Sequence, residues 1–154
     1  MLFVKMSPRS RKESEMSRTV NTALATALVV AAFTGAAWAE QPSVDSLPPS
    51  VVKTVPTCGD TEVPVNTSEI KVTFSKDMMT KQMWSWCMQS QDTFPEITDQ
   101  KGIKYLADNR TCVLPVKLQP GKTYVIWINT QQNNAFRDAS GKPAVPYLLV
   151  FKTK

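Results

Sequence analysis

Three sets of residues in this chain carry side chains able to do chemistry. The first is Cys58, Cys87 and Cys112. In an exported protein two of these thiols could be oxidised to a disulfide, which leaves the third unpaired unless it bonds another chain. The second is Asp92, Glu96 and Asp99, candidate carboxylates for a glycosidase if two of them faced each other across a bond. The third is Trp84, Trp86 and Trp127, whose rings could stack on a sugar or anchor a protein contact. The chain has no histidine. It therefore lacks the usual general base, the commonest zinc ligand and every Ser-His or Cys-His nucleophile pair. No CxxC pair is present. Asp99, Asp108 and Asp138 do not form a D-x-D-x-D-G calcium loop. No catalytic, cofactor-binding or metal-binding residue is assigned, and no cofactor is expected.

The elements that must position these residues are strands. After residue 50, short alternating runs recur between turn residues, and no segment sustains a helical period. In "EIKVTFS" (69–75), Ile70, Val72 and Phe74 share one face. In "WSWCMQS" (84–90), Trp84, Trp86 and Met88 oppose Ser85, Cys87 and Gln89. In "TCVLPVK" (111–117), Cys112, Leu114 and Val116 share a face, and Pro115 predicts an edge or bulged strand because it cannot donate to a ladder. Further strands are expected at 50–56, 103–107, 122–130 and 147–154, with 131–146 a long polar loop. About seven antiparallel strands at this spacing predict an all-β sandwich.

The stretch "LQPGKTYVIWIN" (118–129) sharpens that prediction. In immunoglobulin-like sandwiches a tyrosine at the start of strand F folds back over the preceding corner and hydrogen-bonds upstream backbone. Leu118 would plug the core, Pro120 and Gly121 would make the turn, and Tyr124 would be the corner tyrosine. Tyr124, Ile126 and Ile128 then face inward, and Trp127 faces outward as a candidate surface-binding residue. The same phase argument bears on the thiols. If Trp84 and Trp86 face inward, Cys87 faces outward and cannot reach Cys112 across the core. Three unpaired thiols is the leading reading, and a Cys87–Cys112 disulfide is the alternative.

The N-terminus reads as an address. In "NTALATALVVAAFTGAAWA" (21–39) an apolar run of signal-peptide length follows Arg18 and ends in the small-x-small triplet Ala37-Trp38-Ala39. Residues 1–39 are read as a signal peptide cleaved after Ala39, with Met16 an alternative start. Residues 40–50 are read as a linker, and 51–154 as one folded domain. The net charge is +5, of which residues 1–39 contribute +3, leaving +2 for the remainder. That excess is too small and too N-terminal for a nucleic-acid footprint. No membrane contact is expected after signal cleavage.

Several short motifs recur together in one family. They are Pro49 to Val65 with its P-x-V…G…V-P-V pattern, Phe74-Ser75-Lys76-Asp77-Met78, Leu118 to Tyr124, Asp138-Ala139-Ser140-Gly141 and Phe151-Lys152-Thr153. In this order the chain resembles a bacterial Ig-like domain of the SbsA/Big_5 type over roughly 48–154. The resemblance implies a sandwich used structurally or for binding, and it carries over no catalytic residues. The expected task is that of an exported, periplasmic or secreted, non-catalytic Ig-like module for protein binding or scaffolding in the cell envelope. Its partner would be an envelope protein or a glycan. The alternatives are a carbohydrate-binding module centred on Trp127 and a small carboxylate-dependent hydrolase.

Overall fold

The computed structural model describes residues 41–154. The signal-peptide reading lies outside them. Eight strands run in chain order: β1 Val51–Val55, β2 Glu69–Phe74, β3 Trp86–Met88, β4 Glu96–Ile97, β5 Lys104–Tyr105, β6 Thr111–Lys117, β7 Thr123–Ile128 and β8 Tyr147–Lys152. All their pairings are antiparallel. One sheet has the order β1-β2-β6-β4, with β5 also on β6, and the other has the order β3-β7-β8. This is the two-sheet division of an immunoglobulin-like sandwich.

The alternating runs place the core where their period requires. Ile70, Val72 and Phe74 from β2, Cys112, Leu114 and Val116 from β6, and Tyr124, Ile126 and Ile128 from β7 are buried together. Leu149 and Phe151 from β8 complete the facing layer. Each such large apolar side chain contributes roughly 1.5–3 kcal/mol when fully buried.

At the corner before β7, Leu118 is buried and Gly121 takes a φ of 65°, a left-handed conformation that suits glycine. Tyr124 is 1% exposed and stacks on Phe151 with ring centroids 5.3 Å apart. Its hydroxyl accepts the Gln119 N–H at 2.7 Å. Thr153 fastens the same corner from the far end of the chain. Its hydroxyl donates to the Gln119 carbonyl at 2.6 Å and accepts the Lys122 N–H at 3.0 Å.

Strand β6 is not an edge, in contrast to the expectation from Pro115. It pairs with β2 on one side and with β4 and β5 on the other. The bonds Phe74 N–H to Arg110 and Val116 N–H to Ser68 fix which residues of β6 bond β2. By antiparallel alternation the nitrogen of Pro115 then points away from β2. It faces Thr98 just after β4, whose carbonyl receives no donor from residue 115. The Pro115 carbonyl still accepts Thr98 N–H.

Residues 131–146 are also more than a polar loop, because Phe136, Asp138 and Ala144 are buried. Phe136 packs against Phe74 at 5.1 Å and edge-on to Trp86 at 5.4 Å. Asn129, wholly buried with a φ of 60°, ties this segment down. Its amide donates to the carbonyls of Phe136 and Ala144 and accepts the Phe136 N–H. Residues 41–50 hold no helix or strand, yet they are docked. Lys76 donates to the carbonyls of Asp45 and Leu47, and Lys142 to that of Ser46.

Two stability measurements test these assignments. Tyr124→Phe should cost about 1 kcal/mol in urea denaturation, the net worth of one hydrogen bond. An unchanged midpoint would remove the corner role. Asn129→Ala strands three buried backbone groups and should cost about 3 kcal/mol or more by the same assay.

Candidate functional site

The sandwich is open along one side. Among the described residues strand β3 pairs only with β7, and β4 and β5 pair only with β6. Between β3 and the β4–β5 segment lie two adjoining depressions of about 810 and 640 Å³. Both are bounded by Trp84, Gln100 and Ile103. The smaller runs along Trp84 to Met88, so five consecutive residues form one wall. The larger is lined by Tyr105 and by Lys81, Lys101 and Lys104.

The free edge of β3 faces this groove. Asn129 N–H donates to the Ser85 carbonyl, which sets the alternation along β3. Ser85 and Cys87 bond the β7 side, and the backbone groups of Trp86 and Met88 point outward. No backbone hydrogen bond reaches residues 86–88 from any other element among the described residues. Met88 is 59% exposed. Ser85 is fixed a second time, since its hydroxyl accepts Ala135 N–H at 2.8 Å.

Under the groove sits a polar pair that sequence reasoning did not connect. The indole N–H of Trp86 is buried without a hydrogen-bond partner, and the Cys112 thiol is its neighbour. Burial pushes the Cys112 pKa up to about 12, against the opposing contacts from Trp86 and Val113 N–H. Burial, reinforced by Cys112, also raises the Tyr105 pKa, and the Tyr105 hydroxyl donates to the Met83 carbonyl at 3.1 Å. Burial raises Cys87 as well. Cys87 and Cys112 are therefore neutral thiols at neutral pH, the unreactive form.

The structure does not bring Cys87 and Cys112 together, which corrects the disulfide alternative. All three cysteines are unpaired. Cys112 points into the sandwich from β6. Cys87 is on β3 in the other sheet, out of phase with the inward Trp86, and lies opposite Trp127. Cys58 is exposed in the turn after β1 and donates to the Leu148 carbonyl.

Trp127 lies on the outer face of its sheet, half-buried between its cross-strand neighbours Cys87 and Leu148. Its indole N–H donates to Gln89 at 2.7 Å. Asp92, Glu96 and Asp99 are exposed, and none of them lines either depression. Among the described residues no group of three or more Cys, Asp or Glu is placed to hold a metal.

A smaller depression of about 330 Å³ covers a buried ion pair between Lys76 and Asp138, at 2.8 Å. This contact joins the Phe74–Met78 motif to the Asp138–Gly141 motif. Asp138 Oδ1 accepts the backbone N–H groups of Ser140 and Lys142 and the Ser140 hydroxyl. Gly141, with a φ of 86°, closes the turn. Neither motif shows by its spacing that the two meet. A lysine followed far downstream by D-x-x-G was the only available signal.

With this geometry in hand, the comparisons decide the family. The bacterial Ig-like domain family, Big_5, matches residues 45–153. The chain belongs to that family. Among solved structures it is similar to the S-layer protein rSbsC, at 19% identity and a TM-score of 0.44. That match covers 70% of this chain and 14% of the other, so this chain spans about a seventh of that protein's length. No curated protein matches the sequence. No helix among the described residues is long and apolar enough to cross a membrane.

The ion pair predicts a pH response of this Ig-like domain. Burial alone would raise the Asp138 pKa, but Lys76, Ser140 and the Lys142 N–H outweigh it and hold the carboxyl at about 2. A carboxyl depressed in the folded state stabilises fully above its unfolded value and loses that contribution as pH falls through the folded one. On the order of 2 kcal/mol should therefore disappear between about pH 4 and pH 2. In urea titrations Asp138→Asn should be less stable at neutral pH and should lose that part of the acid response.

Proposed function

We propose that this domain is an exported, non-catalytic Ig-like module that binds or scaffolds proteins in the cell envelope, and that it binds at the open edge of β3. The observation that supports this reading is the coincidence of an unpaired strand edge with an aromatic-lined groove along its length. An extended segment of a partner can pair with such an edge through main-chain hydrogen bonds, and pockets beside the edge select its side chains. Strand β3 has three residues. It offers only a few hydrogen bonds, each worth about 1 kcal/mol. Burial of partner side chains over Trp84 and Ile103 must supply the rest. The apolar run at 21–39 supports export, to the periplasm or the exterior.

The Trp127 glycan reading has less support. That ring is wedged between Cys87 and Leu148, and its N–H is already bonded to Gln89. The hydrolase reading has less still, because its carboxylates lie outside both depressions.

Crosslinking capture from the source envelope tests the reading, comparing the mature domain with Met88→Pro and Trp127→Ala variants of unchanged circular dichroism. A protein captured by wild type and Trp127→Ala but lost with Met88→Pro is expected. A protein captured equally by all three would place binding elsewhere. Enriched polysaccharide that depends on Trp127 would put the glycan reading first.

A further inference from the structure

We infer that the groove beside β3 selects an acidic segment, an extended stretch of a partner protein that is apolar at one end and carries Asp or Glu at the other. This rests on the strand-addition reading above and names the chemistry of its partner.

The charge of the groove carries the inference. Lys81, Lys101 and Lys104 line its wider end, and among the described residues no carboxylate lines either depression. The ion pairs found among the described residues engage Lys71, Lys76, Arg110 and Lys154, and none of the three groove lysines. The nearest acidic residue in sequence, Asp99, directs Oδ1 to the N–H of Lys101 within its own turn, at 2.9 Å. Three lysines therefore line one end of an open groove, none of them in an ion pair among the described residues. Like charges held together in this way attract an anionic partner and disfavour a cationic one.

The shape of the groove restricts the anion further. Side chains of a strand alternate between two sides with a period of two. A segment paired with the outward groups of Trp86 and Met88 would present one set of side chains to the apolar wall formed by Trp84, Ile97 and Ile103. Continued past Trp84, the same segment reaches Lys81, Lys101 and Lys104, with the amides of Gln82, Gln100 and Asn109 beside them. Those amides can hydrogen-bond a carboxylate or the backbone of the segment. Apolar contact at one end and unpaired lysines at the other fit a segment whose groove-facing side chains are apolar at one end and acidic at the other.

Fluorescence anisotropy with labelled peptides of about ten residues tests this, using a Val-rich half joined to a Glu-, Ser- or Lys-rich half, here termed Glu-Val, Ser-Val and Lys-Val. The Glu-Val peptide should bind the mature domain at least about tenfold more tightly than Lys-Val. Its affinity should fall when salt is raised from about 50 to about 500 mM, because the lysines are solvent-accessible. The triple variant Lys81→Glu, Lys101→Glu, Lys104→Glu should invert the preference, and Met88→Pro should weaken every peptide alike. A preference for Glu-Val that survives the charge reversal would overturn the inference. So would equal binding of all three peptides. If equal binding were still abolished by Met88→Pro, strand addition would stand without acidic selection. If charge selection persisted in Met88→Pro, the strand-addition reading would fail and the lysine site would remain. Binding of polygalacturonate through the same lysines, with no peptide bound, would replace the acidic segment by an anionic glycan.

Discussion

The open groove depends on one buried amide. Strand β3 pairs over three residues, too few to hold a strand in place by itself. What holds it is Asn129 and the segment that Asn129 organises. The Asn129 N–H bonds the Ser85 carbonyl, and its side chain fixes Phe136, whose ring supports Trp86. Both amide hydrogens and the amide oxygen are satisfied in a site with no exposure to solvent. Removal of that amide would strand buried groups at their full desolvation cost, and water could not replace it there. One polar residue thus sets the course of the 130–146 connection and the position of the wall on which binding is proposed to occur.

The lysines divide into two kinds, and the difference is physical. Lys76 is nearly buried and opposite a buried carboxylate. A buried pair of that kind adds little net stability over an apolar pair of the same shape, yet breaking it leaves an uncompensated charge. Its structural effect is connection, because it joins the segment after β2, the turn before β8 and, through backbone carbonyls, residues 45–47. Lys81, Lys101 and Lys104 are different. Water solvates them in the free domain, so leaving them unpaired costs little, and an exposed internal partner would have gained little. Their arrangement is therefore free of folding demands and available to recognition.

The fold was legible wherever a local period carried it. The alternation in 69–74, 111–117 and 123–128 marked the inward faces correctly, and the Leu118–Tyr124 spacing is that of a corner tyrosine. Cys87 and Cys112 could be separated by the same phase argument. Legibility ended where the decisive partner was distant in sequence. Pro115 reads as the mark of an edge or bulged strand, because the segments β4 and β5 that pair beside it are not written near residue 115. The segment 131–146 looked polar, because one phenylalanine and one aspartate among many amides do not show that both are buried. Asn129 closes an apolar strand with a residue that tolerates a positive φ, and in hindsight that was a signal. The groove itself could not be read at all. Trp84 lies just before β3 and Ile103 just before β5, strands of opposite sheets, and their meeting depends on β4 and β5 remaining on β6 instead of crossing to β3.

That choice of partner explains why one sheet edge is closed and the other open. On the β8 side the backbone of residues 59–63 seals the sheet. Gly59 N–H bonds Val150, Lys152 N–H bonds Asp60, Val63 N–H bonds Lys152 and Lys154 N–H bonds Val63. On the β3 side no segment among the described residues does this. Unpaired edges invite indiscriminate pairing, and proteins blunt them with short strands and flanking charge. Both devices are present here, since β3 is short and the groove carries lysines at one end.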